Sequence, residues 1–267
     1  MSSTGATDRK TALERALRRD RHVVVAGLAF IIFASWLFIL TGAGMGAPSS
    51  SAGPMAMSPT WTPGYFVLML VMWWVMMVAM MLPSAAPMVL LFTTVNRKSR
   101  ERDRPYVPTG YFAAGYLAAW GGFSMVAVLL QWGLEQLTLL SPTMRTTSLY
   151  FGAALLIAAG VYQVTPLKHA CLRHCRSPLH FISHQWRPGT AGAFRMGLEH
   201  GLFCLGCCWV LMVLLFYGGV MNLWWIGGLA LYVLIEKLFP RGARLGRYAG
   251  GLLILWGAAV LAGAVIG

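Results

Sequence analysis

The chain has 267 residues, 58% of them hydrophobic and 11% charged, with mean hydropathy +0.65 and a formal net charge of +13. A soluble domain carries about 25% charged residues, so this composition excludes an ordinary soluble domain and points to a multi-pass membrane protein. The cysteines number five, and none falls in a segment read as external, which argues against a secreted disulfide framework.

A membrane span needs about 20 mostly apolar residues. About seven segments meet that need: 23–41, 65–92, 109–131, 148–166, 193–218, 221–238 and 247–266. The expected fold is all-α, with residues 1–22 a basic cytoplasmic tail and 23–267 a single helical membrane domain. Basic residues precede the first span, as in a signal peptide. Its apolar run exceeds the roughly 7–15 residues of a signal core, so it reads as a retained anchor.

The first connection, near residues 42–60, is uncharged and rich in Gly, Ser and Pro, the composition of a flexible loop. It also carries Met45, Met55 and Met57. The second span contains MLVMWWVMMVAMMLPSAAPM, in which Met69, Met72, Met76 and Met80 recur on one helical face. Met77, Met81 and Met88 lie on a neighbouring line. Methionine is commonly a core filler, but thioethers are also soft ligands that prefer Cu(I). Pro83 and Pro87 are expected to kink the end of this span.

The connection after the fourth span reads TPLKHACLRHCRSPLHFISHQW. Cys171 and Cys175 are one helical turn apart, and both sulfurs face one way if the helix continues past Leu167. His169, His174, His180 and His184 surround them; an interfacial solvated loop is the plainer reading of those histidines. Cysteine with histidine suits zinc, and sulfur-rich sites suit Cu(I). The neighbouring arginines favour the thiolate that binds metal.

The fifth span contains GLEHGLFCLGCCWVLMVLL. On a helical wheel Met196, His200, Cys204, Cys207 and Cys208 share a stripe about 120° wide. Cysteine is often just a small buried hydrophobe. Three cysteines in five positions, one turn after a histidine, favour a site. Gly197 and Gly201 lie beside the stripe and permit close approach of another helix that could bring further ligands; the Met-rich second span is the first expectation for the helix that completes the site. Glu199 points away from the stripe, towards either a basic structural partner or a role of its own. Glu236 and Lys237 close the sixth span and read as an interfacial ion pair.

Among the lysines and arginines, only Arg145 falls on the side opposite the others. The positive-inside rule then places the N-terminus in the cytoplasm and the C-terminus outside, and the net charge needs no nucleic-acid partner. No Walker A, GxGxxG, GxSxG or HExxH motif is present, so a non-enzymatic role is the first expectation.

The segments MMVAMMLPSAAPM (76–88), YQVTPLKHACLRHCRSP (162–178), MGLEHGLFCLGCCWVLM (196–212) and EKLFP (236–240) resemble a bacterial family of predicted metal-binding integral membrane proteins whose activity is unassigned. The resemblance spans roughly residues 61–245, and Cys171, Cys175, His200, Cys204, Cys207 and Cys208 fall on its motif positions. It implies a metal site and leaves metal and mechanism open.

The expected function is soft-metal handling in a bacterial cytoplasmic membrane, as chaperone or transporter. The candidate ligands are Cys204, Cys207, Cys208, His200, Cys171, Cys175, Met196, Met76 and Met80. Copper as Cu(I) is the expected metal, with zinc the alternative. The expected partners are the lipid bilayer and a metal donor or acceptor protein. Two alternatives stand beside this reading: a thiol oxidoreductase relaying electrons through cysteine pairs, and a membrane-complex subunit with a structural metal. Haem on His200 is weaker, because the spans offer no second histidine.

Overall fold

A computed structural model describes residues 4–42, 61–100, 107–141 and 144–266. Met45, Met55 and Met57 lie outside the described residues, as do Arg102 and Arg104. The described chain is helical, with an isolated β-bridge between Leu140 and Thr146. In chain order the helices are α1 (Thr4–Leu40), α2 (Pro63–Arg100), α3 (Thr109–Gln136), α4 (Leu149–Val164), α5 (Pro166–Arg176), α6 (Pro178–Gln185), α7 (Gly189–Val213), α8 (Leu215–Gly218), α9 (Leu223–Leu238) and α10 (Gly242–Ile266).

Five stretches are helical, long and apolar enough to cross a membrane: His22–Leu40, Pro63–Asn96, Thr109–Gln136, Gly189–Gly218 and Gly242–Val265. A sixth is reached if α4 and α5 count as one broken span. Among the described residues, five or six stretches thus meet this length, against the seven expected. The shortfall lies in α4 and α9, each of 16 residues. At 1.5 Å per residue such a helix is about 24 Å long, short of a hydrocarbon core of about 30 Å.

The chain is helical past Leu167, but as a new helix, so Cys171 and Cys175 still face one way. Thr165 leaves the helical region, with φ −69° and ψ 148°, and its side chain caps a new helix by accepting from the backbone N–H of Lys168. Pro166 occupies the first position of that helix, where the missing N–H costs nothing. The axes of α4 and α5 differ by 63°. By contrast, α2 passes through both Pro83 and Pro87 as one helix.

The extensive helix pairings are α4 with α10 and α3 with α7, while α5 lies across α7. The α3–α7 pair explains the glycines. A Cβ added at Gly197 would sit 1.9 Å from the carbonyl oxygen of Phe112, and one at Gly201 would meet Ala119. The small face of α7 thus seats α3. Outward faces are apolar: Phe30 and Phe33 on α1 are 71% and 67% exposed, and Leu252 and Leu255 on α10 are both 68% exposed.

Candidate metal centre

The helical wheel of α7 turns Met196, His200, Cys204, Cys207 and Cys208 to one side, and all five are buried. The thiols of Cys207 and Cys208 donate to the carbonyl oxygen of Cys204, at 3.0 and 3.1 Å. All five cysteines are free thiols.

The short helix α5 has two faces. Lys168, Cys171, Leu172 and Cys175 fall on one side of its wheel, and His169, Arg173 and Arg176 on the other. The first side lies against α7. Cys171 Sγ fills the space left by Gly206, where an added Cβ would come within 2.7 Å of it. Cys175, one turn on from Cys171 on the same face, lies within electrostatic reach of Cys204 and Cys207. The two cysteine groups that look separate in the sequence are thus one cluster.

Three further helices close around it. From α3, the Tyr116 hydroxyl lies 3.1 Å from Cys204 Sγ and donates to the Met81 carbonyl oxygen at 3.2 Å. From α2, Met81 Sδ accepts from Cys208 Sγ at 3.8 Å. From the last turn of α9, Lys237 Nζ donates to Cys204 Sγ at 2.9 Å, with Cys208 Sγ at 4.0 Å and Ser84 Oγ at 3.4 Å. An ammonium is therefore set among the thiols. Among the described residues, no three His, Cys, Asp or Glu side chains form a ready metal cage.

Glu236 turns the other way. Its carboxylate holds Lys168 Nζ at 2.6 Å, and both side chains have no exposure. Lys168 also donates to Gln163, and Gln163 donates to the Tyr232 hydroxyl, which reaches Glu236 at 3.4 Å. The expected Glu236–Lys237 ion pair is therefore corrected. Adjacent residues of a helix project about 100° apart, so each finds a different partner.

The family model for PpoB2, described as a copper chaperone, matches residues 70–260, more than half of the chain. The chain belongs to this copper chaperone family. No curated protein and no solved structure matches it. The PpoB2 match runs from Leu70 in α2 to Val260 in α10 and so contains every residue of the thiol cluster.

The remaining sequence candidates are placed as follows. His200 is ringed by Phe112, Tyr116 and Phe181 at centroid distances of 6.2, 5.9 and 5.6 Å. Its Nδ1 is buried without a hydrogen-bond partner. Met196 Sδ accepts from the backbone N–H of Arg187 at 3.4 Å. Met76 borders a small cavity with Phe38, Ile39, Met72 and Met221. Met80 is fully buried. Glu199 takes the structural option, paired with Arg187 at 3.0 Å and Arg195 at 3.2 Å. His174 stacks on Phe203 and His180 on His184.

Sequence reasoning did not assign Lys237, Tyr116 or Lys168 to the site. An ionisable group inside an apolar segment was the available signal for Lys237. Nothing in the sequence marked Tyr116, since its role depends on how α3 meets α7.

Proposed function

We propose that this protein is a membrane-embedded chaperone for Cu(I), with N-terminus in the cytoplasm, whose cargo is held by Cys204, Cys207 and Cys208 of α7 together with Cys175 of α5. The observation that carries the reading is the packing of α5 against α7, which sets Cys171 Sγ against Gly206, between Cys204 and Cys208 in sequence, with Cys175 on the same face of α5. Membership of a copper chaperone family supports copper as the cargo. Soft thiolate and thioether donors select Cu(I) over harder ions, and Met81 Sδ and the unpaired His200 Nδ1 add a thioether and an imidazole at the edge of the cluster. The apolar outer faces of α1 and α10 support a bilayer location.

Loading requires rearrangement. Thiols bind metal as thiolates, so the ion displaces protons. Cys207 and Cys208 must also rotate away from the Cys204 carbonyl that they now hold. Lys237 must give up its contact with Cys204, and Ser84 Oγ, 3.4 Å from Nζ, offers another acceptor. Two thiolates around Cu(I) carry net charge −1, and a nearby ammonium neutralises it where the dielectric is low. Cys171 and Cys175 sit on the helix nearest the basic end, so they form the route by which sulfur ligands exchange with a donor or acceptor.

The test is Cu(I) titration of the purified, detergent-solubilised protein against a competing chelator. The expected result is stoichiometric binding that is lost in a Cys204→Ser/Cys207→Ser/Cys208→Ser variant of unchanged helicity. Undiminished binding in that variant would overturn the reading.

A further inference from the structure

The outer face of α5 borders a second cavity, unrelated to the thiols. It has a volume of about 640 Å³ and lies between α5 and the start of α10. His169, Arg173 and Arg176 line it from α5, and Arg247 from α10. Among the described residues, no carboxylate lines it. The nearest acid in sequence, Glu236, is committed to Lys168. Arg176 donates to the Phe239 carbonyl, which fixes one guanidinium at the wall. Arg173 and Arg247 have no ion pair among the described residues. His169 feels the charges of Lys168, Arg247 and Arg173 together. Several guanidinium groups thus converge on one hollow without a carboxylate among the described residues to neutralise them.

We propose that this cavity binds the phosphate headgroup of an anionic phospholipid. Guanidinium forks match phosphate geometry, and basic pockets between helices at the cytoplasmic face suit such headgroups. The surroundings favour a lipid over free phosphate. Beside the basic wall, Leu167 is 62% exposed and Tyr248 72% exposed. Pro166 and Leu172 contribute apolar lining. A soluble anion has no use for these surfaces, whereas acyl chains cover them. The proposal rests on the membrane reading of the apolar helices and not on the copper reading.

The experiment uses the full-length protein in a neutral detergent, with thermal unfolding and lipid retention in native mass spectrometry as readouts. Phosphatidylglycerol, phosphatidylcholine and inorganic phosphate are added separately. Phosphatidylglycerol is expected to raise the melting temperature and remain bound, while the other two do neither. An Arg173→Gln/Arg247→Gln variant should lose about tenfold or more in phosphatidylglycerol affinity, while its Cu(I) titration and its melting temperature without lipid stay at the parental values. Equal stabilisation by phosphatidylcholine overturns the proposal, because no headgroup charge is then read. Equal stabilisation by inorganic phosphate reduces the cavity to a free-anion site and also overturns it. So does unchanged phosphatidylglycerol binding in the double variant. Failure of Cu(I) binding with lipid selectivity intact would sink the copper reading alone.

Discussion

Lys237 Nζ lies 2.9 Å from Cys204 Sγ, a charge-assisted contact between α9 and α7 in a wholly buried setting. Charge-assisted hydrogen bonds are worth about 1.5–3 kcal/mol. A Lys237→Met variant removes the cation that balances a copper dithiolate. Its affinity for Cu(I) is expected to fall by about tenfold to a hundredfold. Lys237→Arg, which keeps the charge, should retain most of it. Chelator competition at neutral pH provides the check, and equal affinity of Lys237→Met and the parent would refute the role.

Gly206 sets the distance between α5 and α7. A Cβ there meets Cys171 Sγ at 2.7 Å, so Gly206→Ala must push the cysteine side chain or the whole helix outward. Overpacking of this kind costs about 1–3 kcal/mol. The variant should unfold at lower temperature and bind Cu(I) more weakly, because Cys175 moves with Cys171. Gly227→Ala, at a position with open space around it, should change neither quantity.

Lys168 and Glu236 form an ion pair that has no solvent exposure on either side. Removing one member strands a buried charge at a cost of about 3–5 kcal/mol. Lys168→Met or Glu236→Leu alone should therefore sharply reduce the yield of folded protein. The double variant should recover much of it, since an apolar pair of similar volume is tolerated. A double-mutant cycle on thermal stability measures the difference, and strictly additive losses would contradict a coupled pair.

The methionines of α2 are distinguishable. Met81 Sδ touches Cys208, whereas Met76 borders a cavity beside Phe38 and Ile39. Met81→Leu should lower Cu(I) affinity while conserving volume, at a stability cost below about 1.5 kcal/mol. Met76→Leu should leave copper binding unchanged. Equal effects of the two would mean that the thioether at residue 81 contributes nothing specific.

The legible part of the sequence was whatever follows from local period. The stripe on α7 and the two-faced placement of Cys171 and Cys175 are wheel properties, and all five side chains of the α7 stripe are buried. The glycines of α7 announced a close neighbour but not which one. Choosing α3 depended on Gly115, which meets the carbonyl oxygen of Phe194 in return and carries no chemical label. The break at Thr165 is written in a Thr-Pro pair and falls at the expected end of the fourth span, 148–166, but the pair does not tell how sharply the chain turns there. Met81 rather than Met76 reaches a thiol because helix rotation in the bundle, unlike helical period, is set by tertiary packing. Lys237 was hidden by its neighbour: Glu236 next to it offered an easier partner in one dimension than in three.

The turn at Thr165 also has a bearing on how the protein is made. Because α5 folds back onto α7, the cysteines meet only after α7 has been synthesised. The last contributors come later still, since Glu236 and Lys237 lie in α9. A nascent chain halted before α9 holds Lys168 without its carboxylate and Cys204 without its ammonium. The charge arrangement around the thiols is thereby tied to the arrival of α9: before it, the cysteines of α5 and α7 are present without the ammonium and carboxylate that flank them.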